Sequence, residues 1–110
     1  MKLYDGGRAP NPRRVRIFLA EKGIEVPLAP VDMGALGHRS AEVTGLNPLQ
    51  RLPVLVLDDG TVLTESIAIC RYFEELHPQP PLFGTGVLGR ALVEMWQRRM
   101  ELNLLMPVAQ

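Results

Sequence analysis

The sequence contains one cysteine, two histidines and no excess of either charge, and each shortage argues against a class of function. A single thiol, Cys70, forms no internal disulfide framework and no multi-cysteine metal site. His38 and His77 lie too far apart along the chain to form a helical ligand pair. Twelve basic residues balance twelve acidic ones, which argues against general binding to nucleic acid or to a membrane surface. We therefore expect no structural metal, and any charged ligand must be held locally.

Long hydrophobic stretches are also absent. The longest strongly apolar run, LPVLVL, is far shorter than the roughly 18 residues that a membrane-spanning helix needs. The first residues, MKLYDGG, do not have the hydrophobic character of a signal peptide. We expect a soluble, cytoplasmic protein in which 110 residues, nearly half of them hydrophobic, bury one compact core and part of a second.

The first half of the chain alternates between strand and helix patterns. KLY predicts a short strand, and the loop after it leads to Asn11 and Pro12, which suit the N-cap and the first position of a helix. This helix is expected to end at Gly23. EVPLAPVDM predicts a second strand at a sheet edge, because its prolines cannot donate to a ladder. Residues 34–48 are predicted to form a loop with one irregular helical turn.

A hairpin and a further helix follow. VLVL and TVLT flank an Asp-Gly turn, and Ser66 opens the next helix. Four residues of this helix are expected to form one apolar stripe: Ile69, Tyr72, Phe73 and Leu76. The order β-α-β, a variable connection and then β-β-α predicts an α/β sandwich whose first two strands are parallel.

The last part of the chain has a different composition. A proline- and glycine-rich segment ends at Gly86 and is predicted to be a linker. Beyond it, apolar residues recur at helical spacing from Val87 to Leu102 and include Trp96. They predict a helix with a broad apolar face that nothing later in the sequence covers. We expect either the start of a second, helical domain or a short protein that covers this face by association.

Two stretches, APNPRRVRIFLAEKGIEV and NPLQRLPVLVLDDGTVLTESIAICRYFEE, resemble the thioredoxin-like N-terminal domain of cytosolic glutathione transferases. Leu-Pro-Val before a strand, the Asp-Gly hairpin and Glu-Ser opening a helix occur in that family's order. The resemblance implies a thioredoxin-like βαβαββα domain over residues 1–80, a linker over 81–86 and the first helix of an all-α domain over 87–110. It also implies a homodimer that binds glutathione and a small electrophilic substrate.

The resemblance places the γ-glutamyl end of glutathione at Glu65 and Ser66. The start of a helix favours a carboxylate, Ser66 adds a hydroxyl group, and Glu65 can pair with the ligand's ammonium group. The alternative is that Ser66 only caps its helix and Glu65 is solvated.

The rest of the implied glutathione site comes from two loops. The Leu52–Pro53 bond is expected to be cis, which presents the backbone of Leu52 to the ligand, whereas an ordinary trans bond is the alternative. Arg51 matches the family position that binds the glycyl carboxylate. His38 matches a similar contact in some classes, although a histidine in a loop is often simply exposed.

The loop GGRAPNPRRV contains no Ser, Cys, Tyr or His that could act on the glutathione thiol. Many relatives have Ser or Cys where this sequence has Ala9. This departure weakens the case for thiol activation and argues against cysteine-dependent thiol transfer. Asn11 is the remaining candidate, either as a donor to the sulfur or only as the N-cap. Tyr4 either faces the site or points into the core.

Two further interpretations concern charge and the single thiol. The arginines of the loop and first helix provide either a local positive field for an anion or only a soluble surface; they are Arg8, Arg13, Arg14 and Arg16. Cys70 is expected to be a buried, inert thiol.

We therefore predict a glutathione S-transferase that joins the glutathione thiolate to an electrophilic carbon. The matches at Arg51, Leu52–Pro53 and Glu65–Ser66 favour this enzyme. Ala9 favours a non-catalytic binding or scaffold protein of the same fold. A glutathione-dependent isomerase of a small dienoic acid is a further alternative.

Overall fold

Four short strands form the sheet of this protein, in the order β2-β1-β3-β4. They are β1 (Lys2–Asp5), β2 (Leu28–Pro30), β3 (Val54–Val56) and β4 (Val62–Thr64). β1 and β2 run parallel, whereas β3 is antiparallel to both β1 and β4. The structure is a computed structural model that describes residues 1–109. Its element order is the predicted one, and β2 lies at the sheet edge as expected.

β2 is shorter than the sequence pattern predicted. It spans three residues, and Pro27, directly before it, has no N–H with which to extend the ladder towards the start of the chain. The strand is held by Leu3 N–H donating to Pro27 C=O at 2.9 Å and by Val31 N–H donating to Asp5 C=O at 2.8 Å.

Helix α1 (Pro10–Lys22) begins two residues earlier than predicted. Its N-cap is Ala9, no side chain caps it, and Asn11 lies inside the first turn, so the predicted N-cap role of Asn11 is wrong. Two prolines fit here because the first N–H groups of a helix have no intrahelical partner to lose. The helix ends as predicted at Gly23, which adopts a left-handed conformation with φ of 68°.

Residues 34–48 contain more helix than predicted. They form a 3₁₀ turn (Gly37–Arg39) and helix α2 (Ala41–Leu46). The overlooked signal is Ser40, whose Oγ accepts a hydrogen bond from Val43 N–H at 3.2 Å and so caps α2.

Strand alternation divides the core into two layers. On one face of the sheet, Tyr4 and Val54 pack with Val43 of α2. On the other face lie Leu3 and Leu55, which belong to the most completely buried side chains of the protein. These are Phe73, Leu3, Leu55, Ile69, Val15, Val54 and Pro12.

Helix α3 (Ser66–Leu76) packs against α1. Ile69 and Phe73 are buried as predicted, but Leu76 is 50% exposed, so the predicted stripe is wrong at its last residue. The buried face continues instead through Cys70 and Glu74.

The residues from Pro78 onward form a second compact unit. It contains α4 (Gly86–Met100), a π-helical turn (Glu101–Leu105) and α5 (Met106–Ala109). The wide turn precedes Pro107, which has no N–H to continue the α-helical ladder. The apolar side chains of α4 are exposed as the pattern predicted, including Val87, Leu88 and Trp96. None of the helices in residues 1–109 has the length and apolar character of a membrane span.

A buried ion pair joins α1 to α3. Lys22 Nζ lies 2.5 Å from Glu74 Oε1 and donates to the carbonyl of His77 at 2.7 Å. The Lys22 side chain has no exposed surface, and that of Glu74 is 11% exposed. Removing one partner of such a pair leaves a buried charge without compensation.

We predict that Lys22→Met lowers the free energy of unfolding by about 3–5 kcal/mol, because the buried Glu74 carboxylate loses the compensating charge of the Lys22 ammonium group. The double variant Lys22→Met/Glu74→Leu removes both charges and should regain most of this loss. Urea denaturation of the three proteins measures both effects. A single variant as stable as the double variant would contradict the role given to this pair.

Candidate functional site

A pocket of about 370 Å³ opens beside the start of α1. Its volume lies within the range of about 300–1,000 Å³ that small-molecule sites usually have. It brings together five of the residues singled out from the sequence: Ala9, Asn11, His38, Arg51 and Leu52. These residues come from separate segments, so the fold and not one local motif forms the pocket. Pro53, Glu65 and Ser66 do not line it.

Gly6 allows two of these segments to approach each other. A Cβ atom at this position would lie 3.0 Å from Pro12 Cγ and 3.4 Å from Leu52 Cδ1. The loop after β1 is fixed by Asp5, whose carboxylate accepts from Gly7 N–H at 3.3 Å and pairs with Arg16. The start of α1 and the Leu52 side chain therefore lie side by side.

Asn11 holds the free hydrogen-bond donors at the start of α1. Pro10 and Pro12 have no N–H, and Arg13 N–H already donates to Ala9 C=O at 3.2 Å. Of the first four residues of the helix, Asn11 therefore has the one backbone N–H without a partner among residues 1–109. This point also carries the positive end of the helix dipole, so it favours an anion.

The Leu52–Pro53 peptide bond is cis, as predicted. Leu52 is 6% exposed, yet its backbone N–H and C=O make no hydrogen bond with any of the residues described. An extended ligand backbone can pair with such groups like an added strand. The neighbouring carbonyl of Arg51, in contrast, accepts from Asn47 Nδ2 at 3.0 Å, and this contact fixes the loop.

The start of α3 offers a second set of free donors. Ile69 N–H is the first to pair, with Glu65 C=O at 3.0 Å, so the N–H groups of residues 66–68 are unpaired within the described chain. No side chain caps this helix, so the alternative in which Ser66 acts only as its cap is wrong. Glu65 is exposed and has φ of 71°, a strained conformation of a kind that clusters at ligand sites.

Arg14 connects the starts of the two helices, which the sequence pattern did not reveal. Its Nη1 donates to Ser66 Oγ at 2.7 Å and to Asn11 Oδ1 at 2.9 Å. Asn11 is one turn away on the same helix, but Ser66 is 52 positions away. Only the packing of α1 on α3 brings Arg14 and Ser66 together.

The far side of the pocket is polar and basic. His38 Nδ1 is buried and has no hydrogen-bond partner among residues 1–109, while Arg51 is exposed at the rim. Arg39 and Gln50 also line the pocket and were missed by the sequence analysis. Arg39 directly follows His38 in the 3₁₀ turn. This neighbourhood to a predicted site residue was the one sequence feature that could have indicated Arg39.

Neither a second groove nor a metal site offers an alternative to this pocket within residues 1–109. A groove of about 680 Å³ lies between the end of α1 and the chain before β2, and it contains none of the residues predicted to bind glutathione. No group of three or more His, Cys, Asp or Glu side chains able to hold a metal ion occurs in the described part of the chain.

Comparison with known proteins identifies the family. The family model of the glutathione S-transferase N-terminal domain matches residues 9–76. The chain belongs to the glutathione S-transferase family. This assignment and the thioredoxin-like fold confirm two predictions made from the sequence.

Three similar proteins illustrate the match. The chain is 38% identical over 111 residues to glutathione S-transferase 2 of Saccharomyces cerevisiae, covering 99% of this chain and 48% of that protein. It is 43% identical over 93 residues to maleylacetoacetate isomerase of Pseudomonas aeruginosa, covering 83% of this chain and 44% of that protein. A crystal structure of a glutathione S-transferase domain-containing protein from Marinobacter aquaeolei VT8 has a TM-score of 0.93 and 40% identity, covering 99% of this chain and 54% of the other. The chain thus spans about half the length of these relatives.

Tyr4 of this glutathione S-transferase domain does not face the pocket. It is 8% exposed, and its hydroxyl group donates to Glu42 Oε1 at 2.7 Å on the α2 side of the sheet. The alternative in which Tyr4 points into the core is therefore confirmed.

Cys70 is buried within α3, at 2% exposure, as expected. Loss of hydration raises the pKa of its thiol from the ordinary value of 9.0 to about 12, and the nearby charge of Arg14 only partly opposes this rise. The thiolate is the reactive form of cysteine, so this thiol is protected from reaction.

We predict that Cys70 reacts slowly with a thiol reagent at pH 8 in the folded protein and rapidly in urea. Since the sequence has one cysteine, the entire signal comes from this residue. In the unfolded protein the thiol ionises near pH 9, whereas in the folded protein it stays protonated up to about pH 12. The contribution of the buried, protonated thiol to the free energy of unfolding is therefore complete below pH 9 and is lost as the pH rises from 9 towards 12. Equal reaction rates in the folded and unfolded protein would contradict this assignment.

Proposed function

We propose that this chain binds glutathione and contributes to a glutathione S-transferase, which joins the glutathione thiolate to an electrophilic carbon. The observation that carries the proposal is the pocket beside α1. There, the free donors of Asn11 adjoin the unpaired backbone of Leu52 and the basic residues Arg51 and His38. Glutathione has two carboxylates, one ammonium group, one thiol and an extended backbone. The pocket offers counterparts to the thiol, the backbone and one carboxylate, and the start of α3, outside the pocket, offers counterparts to the other carboxylate and the ammonium group.

In this proposal the ligand extends from α3 to the 3₁₀ turn. Its γ-glutamyl carboxylate binds the free N–H groups at the start of α3 and the Ser66 hydroxyl, while the exposed Glu65 carboxylate binds its ammonium group. Its central backbone pairs with Leu52, and its glycyl carboxylate binds Arg51 and His38.

The reaction needs the ligand's sulfur as a thiolate, because the thiolate is the attacking species. Ala9 provides no hydroxyl group, so stabilisation of the anion falls to the backbone and side-chain N–H groups of Asn11 and to the dipole of α1. Lowering the thiol pKa by two units requires about 2.7 kcal/mol. The proton of the thiol leaves to solvent when the thiolate forms. The thiolate then attacks the electrophilic carbon. In a substitution the bond to the leaving group breaks and the leaving group departs with its electron pair, whereas in an addition the π electron pair moves to the neighbouring atom, which takes a proton from solvent.

We predict that Ala9→Ser lowers the pKa of the bound glutathione thiol by about one to two units, because a hydrogen bond to a charged group contributes about 1.5–3 kcal/mol. Conjugation of a generic electrophile near neutral pH should become faster. In the unchanged protein this rate should be low near pH 7 and should rise with pH. Thiolate absorbance and conjugation rate, both followed against pH, measure these effects.

The same experiment separates the alternatives. Glutathione binding without conjugation in either protein would favour the non-catalytic binding or scaffold protein. Unchanged pKa and unchanged rate in Ala9→Ser would mean that the sulfur does not lie beside residue 9. Absence of glutathione binding would overturn the proposal as a whole.

A glutathione-dependent isomerase is the second candidate, and the match to the Pseudomonas aeruginosa maleylacetoacetate isomerase favours it. An isomerase returns its glutathione unchanged, whereas a transferase consumes one thiol for each product. Thiol titration during turnover of a small cis-dienoic acid therefore distinguishes the two activities.

The proposal includes an assembly and a domain division. Residues 1–80 are the glutathione-binding domain, 81–86 the linker and 87–110 the start of an all-α domain. The exposed apolar side chains of α4 are covered in a cytoplasmic homodimer.

A further inference from the structure

We propose that Arg14 is a positioning residue that fixes Asn11 and Ser66 as hydrogen-bond donors towards one anionic ligand. The proposal rests on two contacts of a single nitrogen atom. Arg14 Nη1 donates to Asn11 Oδ1 at 2.9 Å and to Ser66 Oγ at 2.7 Å. This role goes beyond that of a cation in a general positive field, and it depends on the proposed binding of glutathione.

The chemistry of the guanidinium group determines the direction of both hydrogen bonds. Arginine has five N–H donors and no acceptor, and it stays protonated in proteins. Asn11 can therefore meet Arg14 only through its amide oxygen, so the amide NH₂ group is turned away from Arg14. Ser66 can meet Arg14 only as an acceptor, so its hydroxyl proton remains available for another partner.

Both remaining donors belong to groups at the proposed ligand site. Asn11 lines the pocket and has the free backbone N–H at the start of α1. Ser66 is 7% exposed and begins α3, where further N–H groups are unpaired within residues 1–109. Arg14 thus presets the donors for the thiolate and for the γ-glutamyl carboxylate before the ligand arrives, which lowers the cost of ordering them on binding.

The two contacts also couple the two ends of the ligand. If Arg14 is removed, the Asn11 amide can rotate and present its oxygen to the sulfur, and the Ser66 hydroxyl can donate elsewhere. The loss should therefore appear in two separate quantities. One is the affinity for glutathione, and the other is the pKa of its bound thiol.

Arg14→Met tests this role by calorimetric titration with glutathione and by thiolate absorbance against pH. We expect Kd to rise about tenfold or more, as for loss of hydrogen bonds to a charged group, and the bound thiol pKa to rise by about one unit. Thermal unfolding verifies that each variant is folded. Arg14→Gln, which is neutral but retains a polar side chain, provides the same readouts if the Met variant does not fold.

Arg13→Met is the matched control, because it removes the same charge from the adjacent, exposed position. We expect its Kd for glutathione to change by about twofold, the effect of a screened surface charge. An equal rise in Kd for the Arg13 and Arg14 variants would overturn the proposal in favour of a general positive field.

A double-mutant cycle with Ser66→Ala separates positioning from a purely structural role. The effect of Arg14→Met on Kd should be clearly smaller in the Ser66→Ala background, because one of the donors that Arg14 orients is already missing. Additive effects, or an unchanged thiol pKa in Arg14→Met, would overturn the proposed role while glutathione binding stands. Failure of the unchanged protein to bind glutathione would instead overturn the proposed function and this role with it.

Discussion

The candidate site depends on N–H groups at the starts of α1 and α3 that have no hydrogen-bond partner within residues 1–109. Neither helix has a side-chain cap, whereas α2 is capped by Ser40. A helix start without a cap leaves donors that water or a ligand must satisfy. In this protein the packing of α1 on α3 places both uncapped ends within reach of the single side chain of Arg14.

The core sets the distance between these groups. α1 and α3 are held together by buried apolar side chains and by the Lys22–Glu74 pair at the end of the helices remote from Asn11. Leu52, just before β3, lines the same pocket as the start of α1, and Gly6 gives the room for this approach. The contacts between α1 and α3 thus form part of the core and also fix the distance between Arg14 and Ser66. A substitution that shifts α1 on α3 is expected to disturb both.

Much of the fold could be predicted because its signals are local. The Asp-Gly turn, the capping position of Gly23 and the apolar spacing of α3 each depend on a few neighbouring residues. The start of α1 was misjudged because Pro10 and Pro12 both fit a first turn, and local preference does not choose between them. α2 was underestimated because its six residues give little periodicity.

The site was only partly predictable, for a different reason. Family resemblance identified the Leu52–Pro53 and Glu65–Ser66 segments, and a cis bond was expected at the first of them. The contact between Arg14 and Ser66 joins residues 52 positions apart, so no sequence spacing indicates it. The buried Nδ1 of His38, which has no hydrogen-bond partner among the described residues, likewise depends on the packing around the 3₁₀ turn. Side-chain contacts of this kind follow from tertiary structure alone.

The central claim is that one ligand spans the start of α1, the backbone of Leu52 and the start of α3. Amide chemical shifts of the ¹⁵N-labelled protein during titration with glutathione test it most directly. The account predicts that the amides of Asn11, Leu52 and Ser66 shift together along one saturating binding curve. Shifts confined to other parts of the chain, or an Asn11 amide that does not move at saturation, would contradict it.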